Sequence, residues 1–308
     1  MLVTYIVIQL MLSSVSNENL CWTQEKDTIT STKDLLSLFP ACWVGQKQQE
    51  RGVYLKSTSS GSQLTLNWGP CNFHANGFRT EIIEPYDAKF HAIKRKYSWQ
   101  PIDQQYYHTT YWWKFAFEDS NNILKSWANG AFIAQIHSYS HPLDDSVKGG
   151  SPVVGLYLTK LENNDPDLYK LTLSSKVFRS TGFCDDKETP TDKGYCIKNL
   201  ISYEIKQNEN YNIFLEIKDN KSFNEPGYIK LDIENAKSQL LKPQHLDEDS
   251  YFRLPVRQNS QPNFFKIGWY VSAPEKKSIY TKKQNQDFCS YDGHLTMNIS
   301  DFSFIKRK

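Results

Sequence analysis

The sequence predicts an all-β protein, a sandwich of two packed antiparallel sheets, and three observations carry that prediction. Aromatic residues are abundant, with 8 Trp, 18 Tyr and 17 Phe in 308 residues against only 3 Met, a balance that suits pleated, half-buried surfaces better than helical bundles. Short runs of aromatic and β-branched residues alternate with clusters of Asn, Asp, Gly and Pro, the pattern of strand and turn. There is no internal repeat and no sustained helical periodicity. The 39% hydrophobic and 23% charged fractions belong to a folded chain with a large core, which excludes a disordered or fibrous protein. Length alone permits two domains, yet β sandwiches commonly run to about 250 residues as one unit, so a single domain is expected.

Taken in order, residues 2–12 form the only strongly apolar run near a terminus, and Ser14-Val15-Ser16 follows with small residues of the kind a signal peptidase requires. Residues 1–16 are therefore read as a signal peptide, even though no Lys or Arg precedes the apolar run. That run falls short of the about 20 apolar residues needed to span a bilayer, so no stable membrane anchor is expected. Residues 17–308 make up the domain, with 17–50 as an N-terminal extension packed on it and one short helix from Thr32 to Leu38. The clearest strands are Tyr111 to Phe117, Ala131 to His137, Val153 to Thr159, Tyr169 to Leu173, Tyr211 to Lys218, Tyr228 to Ile233, Phe264 to Tyr270 and His294 to Phe304. In Tyr211 to Lys218, Ile213, Leu215 and Ile217 alternate with Asn212, Phe214, Glu216 and Lys218, the period of a strand with one face buried. Longer irregular segments at 138–151, 174–200 and 241–263 are expected as loops gathered at the rims of a ligand-binding face.

Six cysteines follow the expected cleavage point (Cys21, Cys42, Cys71, Cys184, Cys196 and Cys289), an even number consistent with three bridges in an oxidising, extracellular compartment. None shows the C-x-x-C spacing of a zinc site. Cys184 and Cys196 enclose a polar loop containing Pro190 and Gly194 and form the preferred pair. Asn220-Lys221-Ser222 and Asn298-Ile299-Ser300 are glycosylation sequons compatible with secretion. A net charge of +2 is too weak a field to argue for nucleic acid. The basic runs Lys94-Arg95-Lys96, Lys276-Lys277, Lys282-Lys283 and Lys306-Arg307-Lys308 read mostly as solvated faces, the first two being the candidates to flank a cleft.

Three strand-like segments place reactive side chains two residues apart with apolar ones between. Arg79 and Glu81 share a face; Gln135 and His137 share a face while Ala134 and Ile136 point away; Lys266, Gly268 and Tyr270 oppose Phe265, Ile267 and Trp269. If the three segments lie in one sheet, Arg, Gln, His, Lys and Tyr line one surface, and Gly268 leaves a bare spot where a ring could lie close to backbone. Such a set matches a specific chemical need. Abstracting the C5 proton of a uronate is opposed by the adjacent carboxylate, so that charge must first be neutralised. Arg79 can pair bidentately with a carboxylate, and the Gln135 amide can strengthen its bond as enolate-like charge develops. His137 is the natural base, and Tyr270 can protonate the departing glycosidic oxygen. Lys266 beside it would favour a phenolate that also serves as base, and Glu81 is placed to orient the Arg79 guanidinium. Each piece alone also fits an ordinary structure: a cross-strand ion pair, a hydrogen-bonded histidine, an amphipathic strand.

Arg79-Thr80-Glu81, Gln135-Ile136-His137 and Phe265-Lys266-Ile267-Gly268-Trp269-Tyr270, in this order, resemble the three motif blocks of the jelly-roll polysaccharide lyases, the alginate lyases of family 7 and the heparin lyase I group. The resemblance reaches from about Gly77 to the last strand. It implies a β-jelly roll with a concave active face, with Arg79, Gln135, His137 and Tyr270 as catalytic positions and Lys266 as a cleft residue beside Glu81. In alginate lyases an Asn-Gln pair usually follows the final tyrosine, whereas this chain has Val271-Ser272. The segment from Tyr111 to His137, with Trp127, also resembles the heparin lyase I arrangement. Some relatives there bind calcium, for which Asp144-Asp145 and Asp185-Asp186 are candidate structural ligands, although adjacent acids are usually solvated loop residues; no metal or other cofactor is required. The expected function is a secreted lyase that cleaves an anionic, uronic-acid polysaccharide such as alginate, glucuronan or a heparin-like chain. The rivals are a non-catalytic carbohydrate-binding sandwich and a glycoside hydrolase, which needs two carboxylates across the scissile bond; the E-x-D-x-x-E run of such hydrolases is absent.

Overall fold

The computed structural model describes residues 28–29, 53–58, 61–68, 79–83, 108–126, 130–138, 152–162, 165–178, 184, 188–190, 195–218, 228–244, 252–253, 263–271 and 293–307. The expected signal peptide and the helix from Thr32 to Leu38 lie outside them. The strands are β1 (Thr28–Ile29), β2 (Val53–Thr58), β3 (Gly61–Trp68), β4 (Arg79–Ile83), β5 (His108–Asp119), β6 (Ala131–Ser138), β7 (Pro152–Lys160), β8 (Leu168–Phe178), β9 (Glu188–Pro190), β10 (Tyr195–Lys206), β11 (Tyr211–Lys218), β12 (Tyr228–Asn235), β13 (Phe252–Arg253), β14 (Asn263–Val271) and β15 (Leu295–Arg307). A 3-10 turn, Ser120–Asn122, leads into one short helix, α1 (Ile123–Ser126).

Two antiparallel sheets face each other, as the alternating sequence predicts. The eight-stranded sheet runs β13-β12-β11-β5-β15-β3-β2, with β1 beside β15; the seven-stranded sheet runs β4-β14-β6-β7-β8-β10-β9. Alternation explains the layer between them. In β11 the positions Ile213, Leu215 and Ile217 are buried and the intervening ones are not. In β14 the residues Phe265, Ile267 and Trp269 are wholly buried in the core. Aromatic contacts cross the interior: Tyr111 of β5 stacks on Phe265 of β14, with ring centroids 4.3 Å apart, and Phe117 of β5 meets Tyr169 of β8 edge-on at 5.0 Å.

Two further devices join the sheets. Residues 240–244 pass from one to the other: Leu241 N donates to Ile233 O of β12, and Gln244 N to Ser202 O of β10, at 2.8 and 2.7 Å. At the end of β5, buried Asp119 accepts hydrogen bonds from Ile123 N (2.6 Å), Leu124 N (3.2 Å) and Tyr169 Oη (2.9 Å), so one carboxylate caps α1 and holds β8. Burial pushes the Asp119 carboxyl above its ordinary value, against the pull of those hydrogen bonds. It also pushes the Tyr169 phenol well above its own.

Each expected strand is present, most of them longer than expected, and Tyr211–Lys218 has the expected bounds. The segment 174–200 departs from its expected loop character, because β8 continues to Phe178 and β10 starts at Tyr195. A register shift between Asn199 and Ile201 explains the part of the discrepancy at the β10 end. It sends the consecutive residues Leu200 and Ile201 both into the core, which erases the period-2 signal. The preferred Cys184–Cys196 bridge is present and ties residue 184 to β10; the other four cysteines lie outside the described residues.

Candidate active face

The three motif segments are adjacent strands, with β14 between β4 and β6. Antiparallel register then sorts their residues into rows across one face. Tyr270 stands opposite Arg79 on one side and Phe132 on the other. Gly268 stands opposite Glu81, Lys266 opposite Gln135, and Phe264 opposite His137. The register thus brings all the sequence-selected positions into three adjacent strands of one sheet. The side chains of Arg79 and His137 lie outside the described ones, so these two residues are located by strand position. Positions 137 and 132, the latter facing Tyr270, are five residues apart along β6, about 16 Å at 3.3 Å per residue. Tyr270 and His137 therefore occupy opposite ends of the face, with Gln135 and Lys266 between them.

The middle rows hold a buried polar layer. Gln135 Nε2 donates to Glu81 Oε1 at 2.7 Å, and Gln135, Glu81 and Lys266 are only 2%, 2% and 5% exposed. Gln135 is thus a described partner of Glu81, while the Arg79 guanidinium that Glu81 was expected to orient lies outside the described side chains. β4 and β6 are two strand spacings apart, about 9.6 Å, so this bond spans β14, crossing it between Lys266 and Gly268. Gly268 itself has φ +133°, and a Cβ there would lie 2.2 Å from Thr80 O and 2.7 Å from Glu81 Cα. Its function is to let the β4 backbone close in, a conformation that L side chains rarely adopt.

β14 and β4 are also anchored from below. Trp269 Nε1 donates to Leu66 O, and Thr80 Oγ1 to Asn67 O, each at 3.1 Å, so register partners on two adjacent site strands both grip β3 of the opposite sheet. A face pinned this way holds its side chains without local rearrangement.

Two residues that the sequence reading missed complete the Tyr270 end. The Phe132 ring is stacked near Tyr270 at 6.0 Å and meets Tyr157 edge-on at 4.8 Å, making a half-buried aromatic strip. Strict alternation from Gln135 would put Ile133 on this face and Phe132 in the core. A register shift between Phe132 and Ala134 reverses the two, leaving Ile133 1% exposed. The signal available in the sequence was Gly155, since a Cβ there would come 2.5 Å from the Phe132 ring. Half-exposed rings beside convergent hydrogen-bonding groups are the makings of a ligand surface.

Among the described residues no group of three or more His, Cys, Asp or Glu could hold a metal ion, and Asp144, Asp145, Asp185 and Asp186 lie outside them. Among the described residues no helix is long and apolar enough to cross a membrane.

Fold and face together define the class: an all-antiparallel β-jelly-roll sandwich with a polar, aromatic-edged surface on the seven-stranded sheet. Solved structures with similarity to the chain include the marine PL-14 alginate lyase from Aplysia kurodai, at 10% identity and a TM-score of 0.48 over 83% of this chain and 87% of that one. The endo-beta-1,4-glucuronan lyase from the fungus Trichoderma reesei aligns at 11% identity and 0.45, over 88% and 93%. The marine PL7 alginate lyase AlyA1 from Zobellia galactanivorans aligns at 14% and 0.42, over 89% and 87%. No protein-family model matches the chain, and no curated protein matches it.

Proposed function

We propose that this protein is a secreted polysaccharide lyase that cleaves a uronic-acid polymer, such as alginate, glucuronan or a heparin-like chain, by β-elimination. The observation that supports the reading is the register of β4, β14 and β6, which makes neighbours of the strands carrying positions 79, 135, 137, 266 and 270 from segments almost two hundred residues apart. A polymer laid along the strands passes Arg79 and Tyr270, then Gln135, then His137. Arg79 and Gln135 neutralise the carboxylate of the residue to be cleaved. A base, the Tyr270 phenolate or a His137 side chain that reaches along the face toward it, removes the C5 proton; the electron pair forms the C4–C5 double bond as the C4–O bond breaks. Tyr270 protonates the departing oxygen. The reaction needs no redox or nucleotide cofactor. Export is supported by the Cys184–Cys196 disulfide, since such bridges persist in oxidising compartments.

The test is formation of the ultraviolet-absorbing unsaturated sugar from a panel of purified polyuronates. Tyr270→Phe and His137→Ala should each lower its rate by about 10²-fold or more while the variants remain folded; unchanged rates in both would refute the mechanism. The near-complete burial of Gln135, Glu81 and Lys266 favours one competing reading, a non-catalytic carbohydrate-binding face. Binding of uronans with no chain shortening would select it.

A further inference from the structure

We infer that Phe132 is a positioning residue for Tyr270, its ring fixing where the phenol hydroxyl stands; the inference rests on the lyase reading and deepens it. In that reading Tyr270 protonates the departing oxygen, so its hydroxyl must be held at one place. Catalytic geometry tolerates an error of about 0.5 Å, and the hydroxyl lies at the far end of a side chain with two rotatable bonds, where a small turn near the backbone moves it most. The residue two places back along β14, Gly268, has no side chain for the ring to lean on. On β6 the cross-strand neighbour of Tyr270 is Phe132. The two rings lie nearly parallel, with 17° between their planes and centroids 6.0 Å apart, within the range of offset stacking. A flat neighbour restricts Tyr270 to the orientations that run alongside it.

Phe132 is itself held in place. Two register shifts, one on each side of β6, converge on this position: between Ile267 and Tyr270 toward β14, and between Phe132 and Ala134 toward β7. Together they make Phe132 the partner of both Tyr270 and Tyr157, so three half-buried rings stand in one row across β14, β6 and β7. Phe132 meets Tyr157 edge-on at 4.8 Å, with 61° between planes. Each of these two rings rests on a glycine of the neighbouring segment. A Cβ at Gly155 would lie 2.5 Å from Phe132 Cε1, and one at Gly130, just before β6, would lie 2.8 Å from Tyr157 Cζ. Phe132 therefore has β7 backbone beneath it and Tyr157 behind it, and a turn away from Tyr270 drives it into one or the other.

The experiment is a double-mutant cycle on the full chain, with Phe132→Ala, Gly155→Ala and the double variant assayed on whichever polyuronate the wild type cleaves, and Phe132→Tyr as the conservative replacement. Phe132→Ala removes the neighbouring ring and keeps the Tyr270 hydroxyl. It should lower kcat by about 10²-fold and leave KM within a factor of about three, whereas Phe132→Tyr, which keeps the ring, should hold kcat within about threefold of the wild type. Gly155→Ala pushes on the Phe132 ring from β7, two strands away from Tyr270. It should lower kcat by about tenfold and add no further loss in the Phe132→Ala background. Wild-type kcat in Phe132→Ala, a loss that falls on KM instead, or losses that multiply in the double variant would overturn the inference. A measurement on the wild type keeps it open to refutation even if the variants misfold: by NMR with labelled aromatic side chains, the Phe132 and Tyr270 ring protons should show a mutual Overhauser effect and Tyr270 a single χ1 rotamer, and rotamer averaging at Tyr270 counts against the role. If the wild type forms no unsaturated product from any polyuronate, the lyase reading fails and this one with it, whereas product formation with multiplying losses removes only the role given to Phe132.

Discussion

Replacing Gly268 by alanine should be among the most damaging single-methyl changes this fold can suffer. The added Cβ would lie 2.2 Å from Thr80 O, 2.7 Å from Glu81 Cα and 3.1 Å from Thr80 C, at a backbone φ of +133°. All three obstructing atoms are backbone, so relief requires β4 to move away from β14 rather than a side chain to turn. Holding a non-glycine residue in a sparsely populated conformation costs about 1–3 kcal/mol, and displacing packed structure to admit extra atoms costs about 1–3 kcal/mol more. The sum, about 2–6 kcal/mol, is a large part of the about 5–15 kcal/mol by which a typical domain is stable. Gly155→Ala supplies the control. Its Cβ would come as close, 2.5 Å, but to the Phe132 ring, which can turn at the about 0.5–1.5 kcal/mol cost of an off-rotamer torsion. Equilibrium urea unfolding should show a much lower midpoint for Gly268→Ala, a modest drop for Gly155→Ala, and an unchanged denaturant slope in both. A loss below about 1 kcal/mol at position 268, or one no greater than at 155, would refute the claim that close backbone approach, and not space for a ligand, fixes glycine there.

The Asp119 cluster makes a pH-dependent prediction. Burial raises the Asp119 carboxyl above 3.8 in the folded state, so its contribution to stability is complete below that pH and declines as pH rises through the folded value. Tyr169→Phe removes a hydrogen bond that restrains this rise, so its destabilisation should grow from about 1 kcal/mol when the carboxyl is protonated to about 1.5–3 kcal/mol at neutral pH; equal urea-midpoint losses at acid and neutral pH would contradict this. The Cys184–Cys196 bridge closes a separation of 12 residues, for which chain entropy predicts about 3 kcal/mol. The double serine variant should lose that much in urea, and a loss under about 0.5 kcal/mol would show that the loop is ordered without its bridge.

Much of this architecture was legible because period-2 alternation survives where strands pair regularly. Ile213, Leu215 and Ile217 in β11, and Phe265, Ile267 and Trp269 in β14, point inward as their spacing requires, and the Arg79, Gln135 and Tyr270 segments lie side by side as the shared-face argument required. Two of the failures share one cause. At Leu200-Ile201 and at Phe132-Ile133 a register shift inserts one residue, and a single insertion inverts every later assignment of inside and outside. The Glu81–Gln135 hydrogen bond was not foreseen for another reason: it reaches a strand two places away, a relation that no local spacing encodes.

Those irregularities are also what shape the face. A perfectly alternating β6 would bury Phe132 and expose Ile133, leaving Tyr270 beside an aliphatic side chain instead of an aromatic ring. The shift at 132–134 exchanges them, and Gly155 admits the Phe132 ring against β7, so the aromatic strip depends on a bulge in one strand and a missing Cβ in the next. Such a departure from regular pairing survives only where the neighbouring strand cannot slide to heal it. β14 meets that condition. Its Phe265 is wedged among Tyr111, Trp113 and Phe302 of the opposite sheet, with centroids 4.3, 5.9 and 6.2 Å away, and its Trp269 is hydrogen-bonded to the β3 backbone. The inward half of β14 thus fixes the strand so that its outward half, Lys266, Gly268 and Tyr270, can keep an irregular neighbour in place.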